Sequence, residues 1–477
     1  MLKKYGTVSK PLPNGLEVRL HMAGRMQGIF LMTVSTRSRS FYIVEEKKMK
    51  LCGTQEIREK ELYIGGIGVG ALARTFGTPL YIMDEEAIRM EMRRFQAAFT
   101  HETLETEVLY ASKAFLTRAM VRLLKEEGLS MDVVSGGELY TALLEDFPRE
   151  KIYFHGNNKS MEELSYALEE GVGTLVVDHE EELQRLCGLL KGTSRKQRVL
   201  LRVNPGIEAH THEYISTTKN DSKFGLSIYD EETLVLLQRM SQEPNIDFQG
   251  IHCHIGSQIF EEDSFQKAAS TMVDFMRKAL DQGVSMKVLN LGGGFGVHYV
   301  EGDAPLSYEA FFPRLLAAIW AKAQEVGLGK LRVLIEPGRS LVATAGITLY
   351  EVGSTKKTYG GRQYVFVDGS MADHLRTALY DADYEAVLAN RMGEAKVEAY
   401  RVTGKACESG DILVKNAWLP KPKPGDLLAV LSTGAYHYSM AMNYNRFRKP
   451  PVVFVKDGEA KLVVKRETYA DLTRNDL

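Results

Sequence analysis

Eight short apolar runs recur between residues 108 and 338, and this rhythm leaves few folds open to the chain. In order they are "VLYASK", "MDVVS", "IYFHG", "TLVVD", "VLLRVN", "FQGIHCHIG", "VLNLGG" and "RVLIEPG", each bounded by glycine or polar residues. Between most of them lie stretches with apolar residues at helical spacing, such as "TRAMVRLLKEEG", "SMEELSYALEEG" and "YEAFFPRLLAAIWAKAQEVG". Eight strands alternating with helices is the arithmetic of an α/β chain closed into a (β/α)8 TIM-type barrel. A doubly wound open sheet is the other architecture with this alternation. The barrel is favoured because polar residues cluster where each strand ends.

After about residue 345 the rhythm changes. "ITLYEV", "QYVFVDG", "KVEAYRV", "DILVKN", "DLLAVLS" and "PVVFVKDG…KLVVKRE" are strands separated by Gly, Pro and Asp-Gly turns. They predict an antiparallel β domain, a sandwich or small barrel. Residues 84–344 are then the barrel and 345–477 the β domain, and a strand segment over 56–83, including "KELYIGG", is expected to join the latter. Residues 1–55 mix basic and polar residues without a sustained period, and "STRSRS" reads as linker; this extension is expected to be flexible and without function of its own. One decoy lies in the joining segment. "GVGALA" at 68–73 matches a dinucleotide-binding fingerprint, but the next strand follows too soon for a βαβ unit of ~30 residues, so a short helix beside the β domain is expected.

Composition narrows the function classes. A length of 477 residues suggests two domains, and a formal net charge of −2 gives no reason to expect nucleic acid or an anionic membrane as partner. The longest apolar stretch near the start, "GIFLMTV", falls far short of the ~20 residues that span a bilayer. Four scattered cysteines (Cys52, Cys187, Cys253 and Cys407) make no disulfide framework and suit a reducing cytoplasm.

In a barrel the C-terminal ends of the strands face the active site. Lys113 ends the first strand; His254 and Ser257 end the sixth; Gly292, Gly293 and Gly294 end the seventh; Glu336, Pro337, Gly338 and Arg339 end the eighth. One pocket would thus collect an amine, an imidazole, a hydroxyl, a glycine-rich turn, a carboxylate and a guanidinium. Singly these are weak signals: a strand-end lysine is more often an ion-pair partner than a nucleophile. His252 and His254 share a strand face, but no third and fourth ligand shows convincing spacing, so no metal is expected. Together the set is more specific. Glycines let backbone N–H groups approach a phosphate, and the loops after the last two strands are the usual phosphate site of this barrel. Pyridoxal 5'-phosphate needs such a site, a lysine for its aldehyde and a carboxylate facing its pyridine nitrogen.

At this point the ordered motifs "YASKAF", "DVVSGGEL", "HGNNKS", "DSKFG", "HCHIGSQ", "NLGGGFG", "EPGRS", "CESGD" and "GAY" become recognisable. From about residue 60 to the C-terminus the chain resembles the pyridoxal-phosphate-dependent decarboxylases with the alanine-racemase-like barrel, and among them most the diaminopimelate decarboxylase family. The resemblance implies decarboxylation of meso-2,6-diaminopimelate to L-lysine, the last step of lysine biosynthesis by the diaminopimelate route, in a cytoplasmic homodimer with active sites shared across the interface. It implies Lys113 as the Schiff-base lysine and His254 as the ring-stacking residue. Ser257, Gly292 to Gly294 and the run Glu336, Pro337, Gly338, Arg339 would hold phosphate and pyridine. Cys407 would be the proton donor and Glu408 a substrate ligand, both reaching the site from the second subunit, and Tyr436 would touch cofactor and substrate. An ordinary thiol pKa near ~8.5 suits a proton donor.

Arg339 and Arg376 offer two guanidinium forks suited to a distal carboxylate, with Tyr380 adding a hydroxyl and Glu408 taking the distal ammonium. Ornithine or lysine as substrate has no distal carboxylate, and two arginines would repel its ammonium. The plainer reading of Arg376 is an ion pair with Asp373 or Asp381. Decarboxylases of ornithine, arginine or carboxynorspermidine share the fold; a racemase fits "CESGD" less well, and a cofactor carrier would not need the β domain. Ala372, Thr377, Lys405 and Phe115 depart from the family's commoner residues, and bear on loop geometry rather than chemistry.

Overall fold

The eight apolar runs become eight parallel strands in the computed structural model, which describes residues 50–207 and 222–477 in full and the strands between residues 8 and 44 by backbone alone. The strands are Glu105–Ala111, Ser130–Val133, Ile152–Phe154, Thr174–Val177, Gln197–Asn204, Ile246–His252, Val288–Asn290 and Arg332–Ile335. Each pairs with the next, and the eighth pairs with the first from Arg332↔Glu105 to Ile335↔Val108, so the sheet closes on itself. Alternation along the strands sorts the side chains. Leu109, Tyr153, Val176, Leu200, Val288 and Leu334 form their own buried cluster, whereas Val108 and Tyr110 belong to the larger core. Inward residues plug a barrel and outward ones pack on the surrounding helices.

Helices begin where the sequence supplies caps. "SMEELSYALEEG" is helical over Met161–Glu170, opened by a capping box between Ser160 and Glu163 and closed by Gly171 at φ 79°. Thr117 caps Arg118–Glu126 through the Met120 N–H. "YEAFFPRLLAAIWAKAQEVG" is helical over Tyr308–Glu325.

The β domain is mixed rather than purely antiparallel. Gly346–Lys357 is its central strand, flanked antiparallel by Leu80–Asp84, Gln363–Val367 and Leu427–Val430. Val452–Lys456 runs parallel to Leu80–Asp84, and Glu398–Thr403 parallel to Gln363–Val367. A hairpin enforces antiparallel pairing, but these partners are joined by long connections that leave direction free. "KELYIGG" supplies Glu61–Ile64 to a separate three-stranded sheet, with Leu62 N–H donating to Ala389 O at 2.7 Å. The "GVGALA" decoy is the short helix Val69–Phe76, and the next strand, Leu80–Asp84, belongs to the β domain, so there is no βαβ unit.

The chain divides into two units, residues 1–51 and 52–477. In the first, Val8–Pro11, Glu17–Met26, Ile29–Thr36 and Arg39–Val44 form a four-stranded antiparallel sheet, where the sequence reading expected a flexible extension with linker at "STRSRS". The signal was the local alternation Val18, Leu20, Met22 and the run "FYIV", too brief to stand out as a period.

The β domain meets the barrel through the segment "STGAY". Gly434 N–H donates to Ala343 O at 2.9 Å, and a Cβ at this position would lie 1.8 Å from the Val342 carbonyl oxygen. That neighbour is backbone and cannot rotate away. Gly434→Ala is therefore expected to lower the unfolding free energy by about 1–3 kcal/mol, read from urea titration. An unchanged urea midpoint would show that the segment is free to shift.

Candidate active site

Lys113 follows the first barrel strand in the short turn Ser112–Ala114, with its side chain exposed. Its ammonium acts on three neighbours: it pulls down the pKa of Asp132, Glu138 and His254. Burial nevertheless pushes the Asp132 carboxyl up to about 7, and the Ser112 N–H donates to it at 3.1 Å. Burial likewise raises Glu138, which accepts the Val134 N–H at 2.7 Å. Burial first, and Lys113 second, holds His254 well below the usual imidazole range, so its ring is neutral. Gly293 N–H donates to its Nδ1 at 3.2 Å. The glycine turn packs as only glycines allow: a Cβ at Gly293 would lie 2.1 Å from Glu336 O, and one at Gly294 2.4 Å from Gly256 O. Pro337 O accepts the Ala111 N–H at 3.1 Å, and Gly338 sits against Ala111.

Glu336 is a buried carboxylate, 7% exposed. Asn290 Nδ2 donates to Oε1 at 2.7 Å, His252 Nε2 lies 3.1 Å from Oε2, and His155 Nε2 lies 2.9 Å from Oε1. Burial alone would push the carboxyl up, but the two imidazoles hold it well below the usual range, as a carboxylate. Burial pushes His252 down to about 4 against the pull of Glu336, so at neutral pH it is an uncharged N–H donor. His155, His252 and Glu336 bring three ligand atoms within 4.8 Å of one another, an arrangement able to hold a metal. The sequence reading paired His252 with His254 and set a metal aside for want of a third and fourth ligand; the structure instead groups His252 with His155 and Glu336, because separate strands converge at one barrel end.

A second group lies between barrel and β domain. Arg339 donates from Nη2 to Ser257 Oγ at 2.8 Å and from Nη1 to Tyr299 OH at 2.7 Å. Arg376, 6% exposed, donates from Nε to Tyr384 OH at 2.8 Å and stacks over Tyr380 at 5.2 Å. The Tyr436 ring sits 4.9 Å from the Arg339 guanidinium and 5.2 Å from that of Arg376. Tyr436 adopts φ 63°, a strained conformation for a bulky residue, and its N–H donates to Ala114 O at 2.7 Å. Neither ion pair of the plainer reading of Arg376 forms. Asp373 accepts from Tyr350 OH and the Ser370 N–H, and Asp381 pairs with Lys415. Among the described residues no carboxylate forms an ion pair with either Arg339 or Arg376.

Cys407 and Glu408 stand apart from these groups. Both are exposed; Cys407 N–H donates to Asn445 Oδ1 at 2.9 Å, and Glu408 accepts from Tyr444 OH at 3.3 Å. The departures from the family pattern are accommodated. Thr377 Oγ1 donates to Leu413 O at 2.7 Å, Phe115 packs edge-on against Tyr438 at 5.7 Å, and Ala372 O accepts the Met442 N–H at 2.9 Å.

Sequence reasoning missed Asp132, His155 and Asn290, each at or just beyond a strand end, where the barrel rule would have found them. It also missed Tyr299 and Tyr384, which lie in loops that carry no such rule.

The barrel and its site define a pyridoxal-dependent decarboxylase: residues 85–343 match the model of the pyridoxal-dependent decarboxylase, pyridoxal binding domain. A diaminopimelate decarboxylase of Bacillus subtilis (strain 168) is 50% identical over 90% of this chain and 98% of its own, and one of Staphylococcus aureus (strain COL) is 47% identical over 87% and 97%. The crystal structure of diaminopimelate decarboxylase from M. jannaschii in co-complex with L-lysine superposes with a TM-score of 0.83 at 34% identity, covering 89% of this chain and 98% of that one. This chain belongs to the diaminopimelate decarboxylase family.

Acidification tests the clamp on Glu336. The unfolded chain binds a proton on His252 near pH 6.5 and the folded chain only near 4. Between those values the unfolded state holds more protons, so this contribution, present above pH 6.5, is lost as pH falls toward 4. His252→Gln cannot protonate. Between pH 6 and 4.5 its unfolding free energy should fall by about 1.4 kcal/mol per pH unit less than that of the parent protein. Equal slopes in urea titrations would show an ordinary imidazole at this position.

Proposed function

We infer that the chain removes CO2 from meso-2,6-diaminopimelate to leave L-lysine, with pyridoxal 5'-phosphate as cofactor. The residues present fit that cofactor. The glycine turn is packed so closely on Cys253, His254, Gly256 and Glu336 that no side chain fits at Gly292, Gly293 or Gly294, and the buried Nε of Arg339 has no hydrogen-bond partner among the described residues. When bound, the cofactor supplies an electron sink for the pair released by the breaking C–C bond. Lys113 would hold its aldehyde, and Glu336, kept ionised by its neighbours, would accept the pyridine N–H. The neutral His254 ring would stack on the pyridine without adding charge. Gly292, Gly293, Gly294, Ser257, Pro337, Gly338 and Arg339 would hold the phosphate side.

One observation carries the choice of substrate. Two guanidiniums flank Tyr436, both buried and neither paired with a carboxylate among the described residues. A buried cation without a counter-ion is costly, so this arrangement suits a substrate that brings a carboxylate at its far end. Tyr380 and Tyr436 line the same place, and Glu408 would take the distal ammonium. Cys407 would deliver the proton to the carbon that loses CO2, which balances the reaction: a C–C bond breaks, a C–H bond forms. The exposure of Cys407 and Glu408 supports a homodimer in which each subunit lends them to the other. The four cysteines are free thiols, which suits the cytoplasm.

Product analysis with meso-diaminopimelate, ornithine, arginine and lysine tests the reading: L-lysine should appear from the first alone, and cadaverine or putrescine in its place would overturn it. Arg376→Ala should lower kcat/KM for meso-diaminopimelate by at least about thirtyfold, since losing the partner of a buried charge costs on the order of 2–5 kcal/mol. The visible band of the holoenzyme should persist in this variant. Wild-type kinetics would make Arg376 a structural residue.

Borohydride reduction of the holoenzyme should fix the cofactor on Lys113, found by peptide mapping; another labelled lysine would refute its role. Mixing inactive Lys113→Ala with inactive Cys407→Ala chains should restore part of the activity, because a mixed dimer has one intact site. No recovery, with subunit exchange confirmed, would place Cys407 in its own chain's site.

A further inference from the structure

Two tyrosines outside the proposed ligand set hold the paired arginines. Tyr299 lies just beyond the glycine-rich turn after the seventh barrel strand, and Tyr384 beyond the short helix Arg376–Tyr380. Both are buried, at 8% and 4% exposure. Their rings meet edge to face, with centroids 5.1 Å apart and planes 77° apart. Tyr299 OH accepts from Arg339 Nη1 at 2.7 Å, and Tyr384 OH accepts from Arg376 Nε at 2.8 Å. The two guanidiniums, one from the barrel and one from the β domain, are thereby joined through a single aromatic pair.

The atoms used matter. A guanidinium has five N–H donors in a planar fork. Tyr384 takes the Nε–H of Arg376, which leaves the two Nη groups as a forward-facing pair able to meet both oxygens of a carboxylate. Tyr384 itself packs on His374 at 4.8 Å and His437 at 5.1 Å, both buried. Burial first, with Arg376 contributing, pushes His374 down to about 3 and His437 well below the usual imidazole range. The support beneath Arg376 is therefore uncharged and rigid, and it offers no carboxylate to compete with an incoming one.

We propose that Tyr299 and Tyr384 are positioning residues for substrate selection: as one edge-to-face pair they set the spacing and tilt of Arg339 and Arg376, and so the preference for a ligand with a distal carboxylate. The proposal rests on the reading of those arginines given above. It assigns the tyrosines no contact with the reacting atoms.

The test uses the holoenzyme with Tyr384→Phe, which keeps the ring and removes the acceptor, and Tyr299→Phe as an independent second variant. Each should raise KM for meso-diaminopimelate by about tenfold, the equivalent of one hydrogen bond to a charged group. kcat should change less than threefold, and the visible band should not move. Two inhibitors isolate the far end of the ligand: L-lysine keeps the distal carboxylate and cadaverine lacks it. Calorimetric titration should show weaker L-lysine binding in each variant, by about the same tenfold, with cadaverine unchanged.

A coupling measurement separates positioning from general packing. In an Arg376→Ala background, Tyr384→Phe should have no further effect on KM, because the hydroxyl acts through that arginine. An undiminished effect there, an equal loss of cadaverine binding, or unchanged KM in both single variants would overturn the proposal. These results are independent of the substrate reading itself, which fails only if the parent enzyme does not convert meso-diaminopimelate.

Discussion

A single backbone hydrogen bond, from Tyr436 N–H to Ala114 O at 2.7 Å, ties the β domain to the residue next to Lys113. Much of the site geometry follows from it. The bond fixes Tyr436 in a strained backbone conformation, and that conformation sets its ring between Arg339 of the barrel and Arg376 of the β domain. Ser439 Oγ donates to the same carbonyl at 3.1 Å, a second tie at the same point. Strain of this kind persists only where the surroundings over-determine it. Here they do, because "STGAY" is packed so tightly on Ala343 and Gly346 that no side chain fits at Gly434.

Electrostatics divides the site into two halves that treat charge in opposite ways. Around Glu336 Asn290 donates and the His252 and His155 imidazoles lie close, and they keep one negative charge buried at the barrel end. Around Arg339 and Arg376 the neighbours are phenols, a hydroxyl and neutral imidazoles, so two positive charges are solvated without being neutralised. The first half suits a fixed cationic nitrogen and the second a mobile anionic ligand. The buried ion pair Lys159–Glu182, 2.6 Å long, shows the contrasting case of a fully paired charge. Lys159 also donates to Gly156 O and Val176 O, so its ammonium is saturated and serves the frame.

The barrel was legible because its signal is local and repeated. Each of the eight apolar runs carries a strand, and "SMEELSYALEEG" carries its own start and stop in Ser160 and Gly171. The strand-end rule then assigns Lys113, His254, Glu336 and Arg339 to one end of the barrel from sequence alone. The rule was applied too narrowly: Asp132, His155 and Asn290 obey it equally well. Parallel pairing inside the β domain was not legible, since Leu80–Asp84 meets Val452–Lys456 across almost the whole chain and no hairpin announces the partnership. Tyr299 and Tyr384 were invisible for a related reason: their roles depend on which arginine each one meets, and loops carry no period.

Sequence by itself determined the alternation that closes into a barrel, the identity of the groups at its strand ends and the family to which the chain belongs. These follow from short-range patterns, in which each residue's burial is set by its neighbours a few positions away. Tertiary structure alone decided which charges are clamped and which are left open. Glu336 is an ordinary glutamate until His155, His252 and Asn290 arrive from three other strands. Arg376 is a candidate surface ion pair until folding carries Asp373 to Tyr350 and Asp381 to Lys415. The physical reason is that desolvation and pairing depend on the full three-dimensional surroundings of a charge, which bring together residues hundreds of positions apart.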